Sequence, residues 1–293
     1  MALNNTQLIS YIQEDIEKYQ GIMVPVKATL LERTKTRSVN PYKLHPNPDD
    51  EFCDPSIGPN YGIISDYVEM IARYQSLKPN VWDASVIVQK IRPDGYMILN
   101  GHHRWAAALK TDFKKVPISI VNLTMVSDVE NMIKEAQSDK RVSMDMDEVI
   151  FCTEGSEDVE KPLPFPWKGF VKGPVRNGIP ALFHNLTQKG YDIWLYSSRY
   201  YSYDMIWKYF EKYSVKIAGI ITGTGRKSKN NGKDRKQTRK LLEAQYRMTL
   251  HIDTDTILLT RAKSKEFKEY KIDKEPASEW PRSVYQIIEG INE

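Results

Sequence analysis

The second half of the chain alternates short apolar runs with helical stretches, and this order restricts the fold more than any other feature. Apolar runs precede Asp145 and cover residues 191–196, 217–221 and 248–252. Between them, helix-like segments open at Asn177-Gly178-Ile179-Pro180, span 203–213 and pass through Leu241, Leu242 and Tyr246. Strand, helix, strand units of this kind build a parallel sheet. Successive strands then finish at one edge, and in open α/β sheets that edge is where ligands bind. The groups carried there are Asp145 and Asp147, then Ser197, then Asp253 and Asp255.

Alternate side chains of a strand share a face, so Asp145 and Asp147 read as a carboxylate pair. Two such carboxylates can hold one Mg²⁺, and one of them can attack phosphorus while the metal screens the charge. A lone Asp-x-Asp is common, and taken alone it reads as a solvated strand end. The basic stretch 223–236 has glycines but lacks the Gly-Lys-Ser or Gly-Lys-Thr spacing of a P-loop. It also lacks interleaved aromatics for stacking on bases, which points to a loop beside a phosphate rather than a nucleic-acid surface. Lys233 opens the helix that follows it.

Read together, the strand ends give Asp-x-Asp, Ser after an apolar strand, Lys at a helix start, and Asp after an apolar strand. This order resembles the four motifs of the haloacid dehalogenase-like phosphohydrolases, across residues 141–290. The resemblance implies that Asp145 attacks phosphorus to form an aspartyl phosphate, and that Asp147 serves as general acid and then base. It implies that Ser197 hydrogen-bonds the transferring oxygens and that Lys233, or failing it Lys229, neutralises them. Mg²⁺ would be held by Asp145, the backbone carbonyl of Asp147, and Asp253 or Asp255. The chain has Glu148-Val149 where the family often has Gly-Thr.

The first half opens with an amphipathic helix over 5–20 and a strand-like stretch over 23–31. Pro, Gly and acids crowd 45–60, a loop of fixed shape, and Ser65 reads as the cap of a helix with Tyr67, Ile71 and Tyr74 inward. A hairpin follows, 86–91 and 96–99 about Asp94-Gly95. It runs into Asn100-Gly101-His102-His103-Arg104, where the alanine-rich run that follows starts a helix. A glycine turn, a helix N-terminus and His and Arg side chains make an anion site, whereas the plainer reading has the histidines satisfying backbone groups and Arg104 in a surface ion pair. The box from Asn100 to Leu109, with Leu44-His45-Pro46-Asn47-Pro48 upstream, resembles the ParB/sulfiredoxin-like superfamily. In that family the box cradles nucleotide phosphates, which implies this role for Gly101, His102, His103 and Arg104, with ATP, ADP or another nucleotide as ligand. A cysteine at position 102 and an aspartate at position 100, used elsewhere in the superfamily for sulfinic-acid repair and serine phosphorylation, are absent here.

The expected architecture is therefore two domains. Residues 1–138 form an α+β ParB/sulfiredoxin-like nucleotide-binding domain, and 139–293 an α/β Rossmann-like, haloacid dehalogenase-type domain with a parallel sheet. Pro- and Gly-rich residues 151–175 are a loop or flap. A net charge of +4 calls for no nucleic-acid partner, and no apolar run spans a bilayer, so the expectation is a cytoplasmic enzyme acting on a phosphorylated small molecule or nucleotide. Two other readings follow from the same residues: a nucleotide sensor on an inactive second domain, or a nucleotide-dependent kinase fused to a phosphatase.

Overall fold

The computed structural model describes the chain except residues 1, 37, 75–84, 166, 168–170, 172, 226–230, 263, 265–266, 273–278 and 293, and the side chains of 74, 231, 232 and 292. Its contacts divide it into two units whose boundary in sequence lies between Asn122 and Leu123. No helix among the described residues is long and apolar enough to cross a membrane, and Cys53 and Cys152 are free.

In the first unit, α1 (Asn5–Tyr19) starts on a reciprocal Asn4–Gln7 capping box and buries Leu8 and Ile12. The strand expected over 23–31 shrinks to β1 (Val24–Pro25). Thr29 and Glu32 form a second capping box there, which turns the following apolar residues into α2 (Leu30–Lys35). β2 (Ser38–Val39) and β3 (Leu44–His45) precede α3 (Tyr61–Tyr74), which starts ahead of Ser65 because the Asn60 side chain takes the Ile63 amide. β4 (Val86–Arg92), β5 (Tyr96–Asn100), α4 (His102–Lys110) and β6 (Val116–Ile120) complete the unit. The sheet order is β2-β6-β4-β5-β3, with β1 on β4. The β4–β5 hairpin is antiparallel, while β4–β6 and β3–β5 are parallel, so the sheet is mixed. Leu8, Ile64, Val88, Ile98, Trp105 and Leu109 lie in its core.

The second unit starts earlier than the expected domain boundary at 138. Val129 and Met132 of α5 (Val126–Lys134) are buried with Trp194, Leu242 and Tyr246, so this helix packs with the second sheet. β7 (Lys140–Asp145) passes into a π-helical turn (Met146–Ile150). There follow α6 (Ile179–Gln188), β8 (Asp192–Tyr196), α7 (Tyr203–Glu211), β9 (Gly219–Ile221), α8 (Asn231–Gln245) and β10 (Met248–Ile252). β11 (Thr256–Arg261), β12 (Phe267–Lys271) and α9 (Trp280–Asn292) end the chain. The sheet order is β12-β11-β10-β7-β8-β9. β10, β7, β8 and β9 run parallel as expected, but β11 and β12 add antiparallel, which makes this sheet mixed rather than parallel. A loop of three residues, Asp253 to Asp255, is too short for a crossover and permits only a hairpin. The segment after the π-turn has its ends tied by the bridges Phe151↔Val175 and Val159↔Arg176. Gly219 is fixed by packing: a Cβ there would lie 2.4 Å from the ring of Trp194, which is fully buried.

Candidate functional site

Parallel register brings the strand ends of the second unit together. Asp145 pairs with Tyr196 across β7 and β8, so Ser197 follows at the same edge, and Ile252 pairs with Met144, so Asp253 stands beside Asp145. Neighbouring strands lie about 4.8 Å apart, which makes these neighbours by topology alone. The π-turn then returns Asp147 to the same place.

Asp145 Oδ1 accepts from the amides of Asp147 at 2.7 Å and Glu148 at 3.1 Å, as the cap of the π-turn. Burial raises the Asp145 carboxyl above the ordinary carboxylate range, against the pull of those two amides. Ser197 is fully buried, and its backbone is held between Ile221 O and Thr224 N at 3.0 Å each. Its Oγ donates to Asp147 Oδ2 at 2.7 Å and accepts from Arg199 N at 3.0 Å. Ser198 Oγ reaches the same Asp147 oxygen at 3.4 Å. Asp147 Oδ1 is buried with no hydrogen-bond partner among the described residues, and Arg199 Nε lies 3.4 Å from it. Sequence grounds alone assign no role to Ser198 or Arg199, although the Ser-x-Arg at the strand end is a signal for Arg199.

Asp145, Asp147 and Ser197 therefore come together, while the other expected residues stand apart in their side-chain contacts. Lys233 lies in the first turn of α8 and is exposed, and no hydrogen bond or ion pair joins it to the cluster among the described residues. Its alternative, Lys229, lies outside the described residues. Asp253 is exposed and its Oδ1 accepts from Thr254 N at 2.7 Å, while Asp255 is also exposed. Among the described residues no group of three or more His, Cys, Asp or Glu side chains could hold a metal ion. The expected ligand set of Asp145, Asp147 and Asp253 is thus not drawn together by its side chains, and the reason is local: one carboxylate caps the π-turn, one engages Ser197, and one caps its own loop. Carboxylate oxygens on adjacent strand ends are hard donors of the kind that suits Mg²⁺.

In the first unit, Gly101 takes φ +102° between β5 and α4, a left-handed conformation that a side chain would disfavour. The histidines after it turn inward. His102 is buried, its Nε2 accepts from Asn47 N at 3.2 Å, and its ring stacks on Phe52 with centroids 5.3 Å apart. Burial holds its imidazole down at about 4, with the His103 charge adding to the effect and Asp50, 3.6 Å from Nδ1, opposing it. His103 Nε2 accepts from Asn60 N at 3.1 Å, and burial lowers that imidazole too. Both rings satisfy backbone groups of the loop over 45–60, as the plainer reading held. Arg104 is buried rather than in a surface ion pair, and donates to Asn100 Oδ1 at 2.9 Å and Ser85 O at 3.1 Å. The amides of His102, His103 and Arg104 precede the first intrahelical bond, from Trp105 N to Gly101 O at 3.0 Å.

Residues 68–138, from α3 through the Gly101 box to α5, match the ParB N-terminal domain. The chain carries a ParB-like domain. Among solved structures it is similar to the C-terminally truncated chromosome-partitioning protein ParB from Caulobacter crescentus complexed with CTP-gamma-S. Identity is 26%, over 34% of this chain and 52% of that one, with a TM-score of 0.24. The match thus spans about half of that chain's length. No curated protein matches the chain. The ParB match gives no support to setting nucleic acid aside as a partner.

Proposed function

We propose that the second unit is a Mg²⁺-dependent phosphohydrolase of the haloacid dehalogenase type, and that the ParB-like unit binds a nucleotide or another phosphate ligand. The observation that carries the enzymatic reading is the triple of Asp145, Asp147 and Ser197 at one parallel-sheet edge, with Ser197 Oγ 2.7 Å from Asp147. Asp145 Oδ1 is fixed by two amides, which leaves Oδ2 to attack phosphorus. The bond from phosphorus to the ester oxygen breaks as that oxygen takes a proton from Asp147. Asp147 then removes a proton from the water that cleaves the aspartyl phosphate and restores Asp145. Ser197 Oγ exchanges its bond to Asp147 for a phosphoryl oxygen, and Lys233 supplies a cation from the start of α8. Asp145, Asp253 and the backbone carbonyl of Asp147 are the donors that would hold Mg²⁺, which supplies positive charge against the phosphoryl oxygens.

A nucleotide-sensing protein on an inert second unit is the alternative, favoured by the exposed positions of Lys233 and Asp253. One screen separates the two. Phosphate release is measured with Mg²⁺ over nucleotides, sugar phosphates and phosphoamino acids, for wild type and Asp145→Asn, with nucleotide and duplex-DNA binding measured alongside. Release by wild type that falls to background in Asp145→Asn is expected. Equal release by both proteins would refute Asp145 as nucleophile. Nucleotide binding by both with no release by wild type would support the sensor.

A further inference from the structure

Arg199 has no part in the chemistry above, yet it stands against it. Its Nε lies 3.4 Å from Asp147 Oδ1, and its side chain is 46% exposed against 8% for Asp147. The contact is an ion pair without a hydrogen bond, since Asp147 Oδ1 is a buried acceptor with no hydrogen-bond partner among the described residues. Arg199 is held in place from elsewhere. Its Nη1 donates to the Tyr201 hydroxyl at 3.3 Å, and Tyr201 is buried against Phe151. Its backbone N donates to Ser197 Oγ at 3.0 Å, and its carbonyl accepts from Gly223 N at 2.9 Å. A guanidinium has five N–H donors, so one bond to Tyr201 leaves most of them for a ligand.

We propose that Arg199 is a specificity-determining residue that binds a second anionic group, phosphate or carboxylate, carried by the substrate beside the ester that is cleaved. The inference rests on the phosphohydrolase reading, in which Asp147 faces the leaving oxygen. A cation 3.4 Å from Asp147 is then set beside the leaving oxygen. The planar guanidinium fits a carboxylate or phosphate in bidentate fashion, which a lysine does not reproduce. Its half-exposed side chain, ion-paired but not hydrogen-bonded to Asp147, can turn to such a group without breaking a hydrogen bond to the protein's own carboxylate. The favoured substrates are therefore phosphomonoesters of anionic alcohols, such as nucleoside bisphosphates or phosphorylated hydroxy acids. Esters of neutral alcohols are disfavoured.

The test compares matched pairs: a nucleoside 3′,5′-bisphosphate against the 5′-monophosphate, and 2-phosphoglycolate against ethyl phosphate. Wild type is expected to prefer the member with the second anion in kcat/KM, and Arg199→Gln to reduce that preference by roughly 10- to 100-fold, the worth of a lost charge-assisted pair. The loss falls on KM rather than kcat, and Arg199→Lys recovers part of it. Calorimetric binding of the bisphosphate in EDTA, where nothing turns over, weakens by a similar factor in Arg199→Gln. Hydrolysis with a preference that Arg199→Gln leaves unchanged overturns this proposal and spares the phosphohydrolase reading. Loss of kcat on both members of a pair does the same, because it makes Arg199 a positioning residue for Asp147. No hydrolysis and no Arg199-dependent binding overturns both.

Discussion

Replacing Ser197 with alanine removes one hydroxyl from a place that water does not reach, and the cost can be worked out from its two bonds. Ser197 is fully buried and gives its proton to Asp147 Oδ2 at 2.7 Å. A hydrogen bond to a carboxylate contributes about 1.5–3 kcal/mol net. Asp147 has little in reserve, because its other oxygen has no hydrogen-bond partner among the described residues, and what remains is Ser198 Oγ and the Arg199 ion pair, each at 3.4 Å. The Arg199 amide loses its acceptor too, although it belongs to an exposed residue and can turn to water. The sum is about 2–3 kcal/mol, which in a unit of this size lowers Tm by about 5–10 °C. Ser198→Ala is the internal control. Its hydroxyl is exposed and distant, so its loss costs within about 0.5 kcal/mol. Thermal unfolding followed by calorimetry compares the two variants directly. Equal small shifts would show that the Ser197–Asp147 bond does not hold this edge together, and would remove the geometric ground for the catalytic triple. If the phosphohydrolase reading is right, Ser197→Ala also lowers kcat by roughly 10²- to 10³-fold.

Two further outcomes are expected. Burial holds His102 at about 4 in the folded chain against 6.5 in the unfolded one, so its stabilisation is fully present above about pH 6.5 and is lost as pH falls towards 4. The loss is of order 3 kcal/mol, and a ring resonance assigned through His102→Ala that titrates near 6.5 would refute the buried neutral state. Gly219→Ala places a methyl 2.4 Å from the Trp194 ring and should cost about 1–3 kcal/mol or more by overpacking. Wild-type urea stability for that variant would show that the β8–β9 packing is looser than described.

Much of the second unit was legible because β-strand and helix periods alternate cleanly there. The strands ending at Asp145, Ser197 and Asp253 all form, and their parallel register follows from the helices between them. The outer strand of the hairpin after Asp255 is not legible in the sequence, since β12 lies at the sheet edge, is largely exposed and leaves no apolar signature. The contact-based units divide at Asn122 and Leu123, ahead of residue 138, where the ParB N-terminal match ends, for a related reason. The stripe of α5 is apolar whichever core it joins, and only contact with Trp194, Leu242 and Tyr246 reveals which one. The strand expected over 23–31 is cut to Val24–Pro25, and its far end is helical because a Thr29–Glu32 capping box is a stronger local instruction than a short apolar run. At the site, sequence order locates the strand ends but does not show which partners the side chains choose, so Arg199 carries no role in that reading, and among the described residues no side-chain hydrogen bond or ion pair joins Lys233 or Asp253 to Asp145, Asp147 or Ser197.

Those partner choices separate the two candidate sites by their chemistry. In the first unit the box side chains mostly serve the backbone: His102 and His103 accept from the amides of Asn47 and Asn60, and Arg104 donates to the Ser85 carbonyl as well as to the Asn100 side chain. Freeing any of these for a ligand would leave a backbone group without its partner, at a cost of about 1–3 kcal/mol where it is buried. The histidines are therefore struts that fix the loop around Gly101, and an anion there would meet the first amides of α4 rather than an imidazolium. In the second unit Ser197 is bonded to Asp147, one reactive side chain to another. On the proposed phosphohydrolase reading a phosphoryl oxygen accepts the Ser197 hydrogen bond while the leaving oxygen meets Asp147, so the exchange leaves no group unsatisfied. The exchangeable bond of the second unit thus lies between Ser197 and Asp147, whereas His102, His103 and Arg104 hold the backbone around Gly101.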